Sequence, residues 1–219
     1  MDSELARVLN VLAHEIRTPL AVSQGYLTLM AEGRLTAADE QATAIERTRT
    51  ALGRIATLCS DMGRLGSLTD TPSPSLRGRV AATIVLAAVS EALARHAPTR
   101  TGTSAPEGIV ATDGTHDLAT AVAALGTMAC ADAGPEEKVM TVTDATGTTM
   151  TLLVGGALAV AALPRHADDP AAAALMLVRG GFGLSLFWAA LVLERHGVRA
   201  WQARETAPAI GVTFPLVSV

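Results

Sequence analysis

Apolar residues recur every three or four positions along the first 30 residues, and this repeat constrains the fold more than any other feature of the chain. The repeat runs through Leu5, Val8, Leu12, Ile16, Leu20, Ser23, Leu27 and Met30. Spacing of this kind brings side chains onto one side of an α-helix. We therefore predict one long helix over about residues 3–30, with Gly33 as its stop signal.

A second stripe follows after a short break. It consists of Ile45, Leu52, Ile55, Cys59, Met62 and Leu65. Thr36, with Asp39 three residues later, has the pattern of a helix N-cap and predicts the start of this helix. Two such helices form a hairpin, and each arm of ~30 residues would be ~45 Å long. Two helices alone cannot bury all of these apolar side chains. We therefore predict a dimer in which two hairpins form a four-helix bundle.

The rest of the chain predicts a second domain of mixed helices and strands. Pro72 and Pro74 interrupt the apolar pattern, so we assign residues 1–70 to the hairpin, 71–78 to a linker and 79–219 to the second domain. Helices are predicted at 80–96, 117–132, 171–178 and in a segment that ends near 195. Strands are predicted near 108–112, 139–143, 150–154, 198–203 and 210–216, with disorder at 164–170. This order predicts an α+β sandwich with helices on one face of a sheet.

The composition excludes several classes of function. The chain of 219 residues has a formal net charge of −4 and a single lysine, Lys138, so it lacks the basic stripe that nucleic-acid binding requires. Its longest apolar tract, 151–163, has 13 residues, against the ~20 that span a bilayer. Cys59 and Cys130 have no metal-ligand spacing, which predicts reduced, buried thiols and no metal site. We therefore predict a cytoplasmic protein with no membrane span in this chain.

The segment at 14–20, with the letters HEIRTPL, carries the main chemical signal. His14 falls off the predicted buried stripe, so its ring is expected to face solvent. A neutral imidazole is a nucleophile that can accept a phosphoryl group and release it to another acceptor. Pro19 lacks an N–H and crowds the carbonyl of Glu15, so we expect the helix to bend there.

This segment resembles the H-box of two-component sensor histidine kinases, and the resemblance extends from Val11 to Leu68 in the second helix. It implies that His14 carries phosphate, that Glu15 orients the histidine ring, and that Thr18 holds a water for hydrolysis of the phosphorylated histidine. It also implies exchange of phosphate with an aspartate in a response-regulator receiver domain, which would supply Mg²⁺.

The C-terminal half resembles the ATPase domain of the same family in a degenerate form. Gly181 and Gly183 are similar to the family's glycine-rich lid, where backbone N–H groups would bind phosphates. Ala124 and Met128 stand where the family has metal-chelating asparagines, and the segment after Val154 lacks the acid that reads adenine. A thioether is no ligand for Mg²⁺, and an apolar tract accepts no hydrogen bond from adenine. The resemblance thus implies that ATP does not bind in the family's manner and that no cofactor is held tightly.

Together these features predict a dimeric histidine phosphotransfer protein, or a response-regulator phosphatase, of a two-component system or phosphorelay. Two alternatives stay open. The first is an ATP-dependent, autophosphorylating histidine kinase whose atypical pocket keeps Gly181 and Gly183 on the phosphates. The second is a noncatalytic pseudokinase that only docks onto a partner kinase or regulator.

Overall fold

The structure of the chain is a computed structural model. It describes residues 2–70, 78–94, 99–101, 108–112, 114–131, 133–134, 137–144, 148–175, 184–203 and 209–217. The chain divides into two compact units, of which the first contains the N-terminal hairpin and the second contains a sheet. Apart from Gly78, the predicted linker lies outside the described residues.

The predicted helical hairpin is confirmed, and its two arms are α1 (Asp2–Ala31) and α2 (Ala38–Asp70). Helix α1 ends in a Schellman motif. The N–H of Gly33 donates to the carbonyl of Met30 at 3.1 Å, and the N–H of Arg34 donates to the carbonyl of Leu29 at 3.0 Å. Gly33 has a φ of 64°, a left-handed conformation that costs about 1–2 kcal/mol for residues with a Cβ atom. The sequence therefore stops α1 where a glycine permits the turn.

Helix α2 begins one residue later than the sequence predicts, because Ala37 and not Thr36 is its N-cap. The carbonyl of Ala37 accepts the first helical hydrogen bond, from the N–H of Gln41 at 3.0 Å. The carboxylate of Glu40 reaches back and accepts from the N–H of Ala37 at 3.3 Å. This is the acidic half of a capping box, in which the residue three positions after the N-cap satisfies its free N–H.

Within the hairpin, α1 and α2 meet mainly through small or polar side chains. The buried residues are Val11, Leu12, Pro19 and Ser23 on α1, and Ala44, Thr48, Ala51, Leu58 and Asp61 on α2. We call this contact the inner seam. Several large apolar residues of the two predicted stripes lie elsewhere, with 40–56% of their surface exposed: Leu20, Leu27, Ile45, Leu52 and Met62. The single chain leaves these side chains and that of Cys59 exposed, and their predicted burial in a dimer stays a prediction.

The second unit contains a sheet with eight described strands. They are β1 (Arg79–Ala81), β2 (Thr99–Thr101), β3 (Ile109–Ala111), β4 (Lys138–Asp144), β5 (Thr149–Gly156), β6 (Ala172–Ala173), β7 (Arg199–Ala203) and β8 (Ala209–Val217). The main order is β1-β3-β8-β5-β4-β2, and β7 pairs with β8 and with β6. Only the β2–β4 pair is parallel among the described pairs. The central strands β5 and β8 are almost fully buried along their shared length.

Helices cover both faces of this sheet. They are α3 (Ala82–Leu93), α4 (Thr115–Ala129) and α5 (Ala157–Ala162), and a further helix, α6 (Ser185–Arg195), precedes β7 in the chain. Gly126 of α4 lies close to Leu93 of α3 and to Val154 of β5, whereas α5 packs in a cluster with Leu153 and Trp201. Because successive strand residues point to opposite faces, α5 lies on the face away from α3 and α4. The α+β class is confirmed, but the prediction of helices on one face only is wrong.

The predicted helices α3, α4 and α6 and the five predicted strands are confirmed, with shifted ends. The predicted helix at 171–178 is wrong at its start, because residues 172–173 form β6 and pair with β7. The segment 164–170 is not disordered: the indole Nε1 of Trp201 donates to the carbonyl of Pro164 at 3.0 Å, and Arg199 binds Asp168 at 2.7 Å. These contacts hold the segment against β7, and its sequence contains no sign of them.

Candidate phosphotransfer site

His14 lies on the solvent-facing side of α1. Its side chain is 75% exposed, while Val11 and Leu12 beside it are buried. A rotation of about 100° per residue accounts for this, because the inner seam of α1 recurs at positions three or four apart and His14 falls between them. The expected outward position of the ring is confirmed, and it leaves the imidazole open to a second molecule.

Glu15 places a carboxylate beside His14. Its side chain is 17% exposed, and its Oε1 lies 3.7 Å from Nδ1 of His14. This distance is too long for a hydrogen bond, although a small change in either rotamer would close it. Since Nδ1 is turned toward Glu15, Nε2 is the ring nitrogen that is free to meet an incoming group.

Thr18 and Pro19 complete the segment one turn further along α1. Thr18 is exposed and lies four residues after His14, on the same side of the helix. Pro19 is buried in the inner seam, and α1 continues through it without interruption. Because Pro19 cannot donate an N–H, the carbonyl of Glu15 lacks its usual helical partner. The site therefore lies at a weakened point of the helix.

The second unit has apolar side chains at the positions that the sequence analysis compared with a nucleotide site. Met128 is buried within α4, and Ala124 has no polar atom in its side chain. After Val154, β5 leads through Gly155 and Gly156 directly into α5. An apolar helix thus follows β5 at the point where the resemblance would place the adenine-reading acid.

Other predicted features of the second unit stay untested. Gly181 and Gly183 lie outside the described residues.

In the part of the chain that the structure describes, no three His, Cys, Asp or Glu side chains are grouped so that they could hold a metal ion. None of the described helices is long and apolar enough to cross a membrane.

Sequence reasoning missed Asp61, a buried carboxylate in the inner seam. Burial raises the pKa of Asp61 above its ordinary value of 3.8, and the charge of Arg64 lowers it in part. The residue lies three positions after Leu58 and four before Leu65, a spacing that puts all three on one side of a helix. An acid in such a position weakens the contact between the two helices.

Comparisons with known proteins agree with this geometry. Residues 4–70 match the family described as His Kinase A (phospho-acceptor) domain. No curated protein matches the chain in sequence. The histidine kinase AdeS of Acinetobacter baumannii has a similar structure, with a TM-score of 0.60 at 12% identity over 94% of this chain and 98% of that one.

Full-length ShkA, solved in complex with AMPPNP, is similar with a TM-score of 0.51 and 17% identity. The match covers 98% of this chain but only 47% of ShkA, so the chain spans about half the length of that protein. At sequence identities this low, the comparisons establish a similarity of fold and not of function. The chain therefore contains a match to a phospho-acceptor domain over residues 4–70, and its fold is similar to that of the histidine kinase AdeS.

Proposed function

We propose that the protein carries a phosphoryl group on His14 and exchanges it with an aspartate in the receiver domain of a response regulator. The exposure of the imidazole beside a largely buried Glu15 is the observation that carries this proposal. A buried carboxylate next to an exposed ring can steady one ring nitrogen while the other stays accessible. An ordinary surface histidine would not require such a neighbour.

The exchange needs three side chains, which are His14, Glu15 and the receiver's aspartate, together with the metal ion of the receiver. The lone pair of Nε2 attacks phosphorus as the bond between phosphorus and the receiver's aspartate oxygen breaks, and the aspartate leaves as a carboxylate. The Nδ1 proton stays on the ring, where the Glu15 carboxylate offsets the positive charge that develops. Transfer in the opposite direction reverses these steps. Mg²⁺ bound in the receiver's acidic pocket would neutralise the phosphoryl oxygens during transfer.

The proposal includes a homodimer. Leu20 and Leu27 on α1, and Ile45 and Leu52 on α2, are seven residues apart in each pair and are exposed in the single chain. A seven-residue repeat places each pair along one line of its helix. Because the inner seam contains mostly small and polar groups, a second copy packed on this outer face would supply the larger share of apolar burial.

The proposal also holds that the protein does not use ATP. The apolar helix α5 and the buried Met128 support it, since neither offers an oxygen or nitrogen atom to adenine or Mg²⁺. The rival reading, an autophosphorylating kinase, rests on the fold shared with ShkA, whose structure holds AMPPNP. At 17% identity that likeness does not carry nucleotide binding to this chain.

Two parallel incubations of the full chain test the function. In one, the protein meets ATP with Mg²⁺; in the other, it meets receiver domains phosphorylated with acetyl phosphate. We expect acid-labile phosphate on His14 only in the second, and none in the His14→Ala variant. His166→Ala, which changes an exposed histidine far along the sequence, serves as the control. Labelling by ATP would establish the kinase, and no labelling in either incubation would favour the noncatalytic scaffold.

A further inference from the structure

Two hydroxyl groups in the inner seam are buried without a hydrogen-bond partner among the described residues. They belong to Ser23 on α1, which is 3% exposed, and Thr48 on α2, which is 9% exposed. A buried hydroxyl that makes no hydrogen bond loses its hydration without compensation, and each such group costs about 1–3 kcal/mol. Native proteins seldom leave two such groups in one contact.

Other helical hydroxyls of this chain show what these two could have done. Thr43, Thr57 and Ser67 on α2 donate to the carbonyl four residues earlier, at distances of 2.9, 3.1 and 2.9 Å. That bond is available to any serine or threonine inside a helix. Ser23 and Thr48 do not make it, although the carbonyls of Pro19 and Ala44 lie in the corresponding positions. Their hydroxyl groups are therefore open to a partner within the seam.

The two residues lie at similar levels of the hairpin. Ser23 precedes the end of α1 by eight residues and Thr48 follows the start of α2 by ten. At a rise of 1.5 Å per residue, they stand about 12 Å and about 15 Å from the turn. Ala44 and Ala51 flank Thr48 one turn to either side and are buried. Small side chains on both sides leave more space at this level than larger ones would.

We propose that Ser23 and Thr48 share one buried water molecule that links α1 to α2. A water needs two to four polar partners and space for itself, and the seam offers both hydroxyls together with the carbonyls one turn back. Such a link satisfies both hydroxyls, which would otherwise destabilise the hairpin. It also fixes the axial register of α1 against α2 one turn beyond Pro19, at a point where small apolar side chains would let the helices slide.

A double-mutant cycle in the full chain tests the link. Ser23→Ala and Thr48→Val each remove one hydroxyl while nearly preserving volume, and amide hydrogen exchange measures the protection of α1 and α2. We expect each single variant to strand the remaining hydroxyl and lower protection at least about fivefold, whereas the double variant returns to within about twofold of the original chain. Two independent, unpaired hydroxyls would give the opposite: each single variant would gain protection and the effects would multiply. That outcome overturns the proposal.

Two further measurements sharpen the test. Thr57→Val removes an exposed hydroxyl that already bonds to Gly53, so its effect combined with Ser23→Ala should simply multiply. Nuclear Overhauser contacts between the Thr48 methyl group and a long-lived water should appear in the original chain and vanish in Ser23→Ala. Coupling between the two residues without any water contact would replace the shared water by a direct bond and overturn the proposal. These results do not depend on phosphate transfer.

Discussion

Nδ1 of His14 lies 3.7 Å from Oε1 of Glu15, with the histidine exposed and the glutamate mostly buried. This pairing predicts that the charge of Glu15 matters more than its bulk. Glu15→Gln keeps the shape but removes the charge that offsets the positive ring during transfer, so we expect phosphate exchange to slow by roughly 10²-fold. Rapid-quench measurement of transfer from a phosphorylated receiver would detect this. Glu46→Gln, on an exposed carboxylate that pairs with Arg49, is the matched control; unchanged exchange in Glu15→Gln would contradict the role of Glu15.

Replacing Thr18 should distinguish hydrolysis of phosphorylated His14 from transfer of its phosphoryl group. If its hydroxyl positions a water beside phosphorylated His14, Thr18→Ala should slow hydrolysis about tenfold or more and leave transfer nearly intact, because transfer uses an aspartate nucleophile and needs no water. The two rates can be followed with phosphorylated receiver and free phosphate as readouts. Thr18→Ser retains the hydroxyl and should keep both rates. Equal loss of hydrolysis and transfer in Thr18→Ala would mean that Thr18 serves the helix and not the water.

The exposed apolar face predicts dimerisation. Leu52→Asp would place a charge in that interface, and an unpaired buried charge costs several kcal/mol in effective terms. We expect the full chain to be a dimer at micromolar concentration in sedimentation equilibrium and the variant to be a monomer. Thr50→Asp, an exposed position two residues away that faces another side of α2, should remain dimeric. A monomeric original chain would rule out the dimer.

Cys59 provides an independent probe of the same face, because it follows Leu52 by seven residues and is exposed in the single chain. A thiol reagent should therefore modify Cys59 more slowly in the dimer than in the Leu52→Asp monomer. Cys130 should give little background, since it is buried and its pKa is raised chiefly by that burial. Equal reaction rates in the two proteins would place Cys59 outside the dimer interface.

We expect Asp61 to make the stability of the hairpin depend on pH. Burial raises the pKa of Asp61 above 3.8, so the folded chain holds this proton more tightly than the unfolded chain does. Stability therefore falls as pH rises from 3.8 through the raised value, and the penalty persists at neutral pH. Asp61→Asn should unfold a few degrees higher than the original chain at pH 7, with a difference that shrinks toward pH 3.8.

Asp39→Asn is the matched control for this experiment. Asp39 is exposed in the first turn of α2, where a negative charge is favourable. Its replacement should lower the melting temperature slightly or leave it unchanged. Thermal unfolding followed by circular dichroism measures both variants. A lower melting temperature for Asp61→Asn at pH 7 would mean that the carboxylate is stabilised in the fold.

Gly211 has no room for a side chain. A Cβ atom at this position would overlap the indole ring of Trp201, its cross-strand neighbour on β7. Gly211→Ala should therefore destabilise the sheet by about 1–3 kcal/mol, the usual cost of overpacking. Gly156→Ala, at the end of β5, would meet only Ala133 at 3.4 Å and should be nearly neutral. Denaturant unfolding followed by tryptophan fluorescence distinguishes the two, and equal stability of Gly211→Ala and the original chain would contradict the packing.

Several features of this protein were determined by its sequence alone. The repeat of apolar residues predicts two long helices, because the 3.6-residue period of a helix is visible in the sequence itself. No contact with a distant part of the chain is needed to define it. Gly33 ends α1 for a similarly local reason. The exposure of His14 followed from its place between stripe positions.

Only the tertiary structure decided which side of each helix is buried. The pattern predicts Leu20 and Leu52 as core residues, yet the hairpin buries Thr48 and Asp61, because two helices of one chain pack closest through small side chains and leave the larger ones outside. The position of helix α5 on the other face of the sheet also depends on contacts between residues that are distant in sequence. Its apolar residues find their partners in Trp201 and Ala209, which lie about forty to fifty residues further along the chain and meet α5 only once the strands have paired.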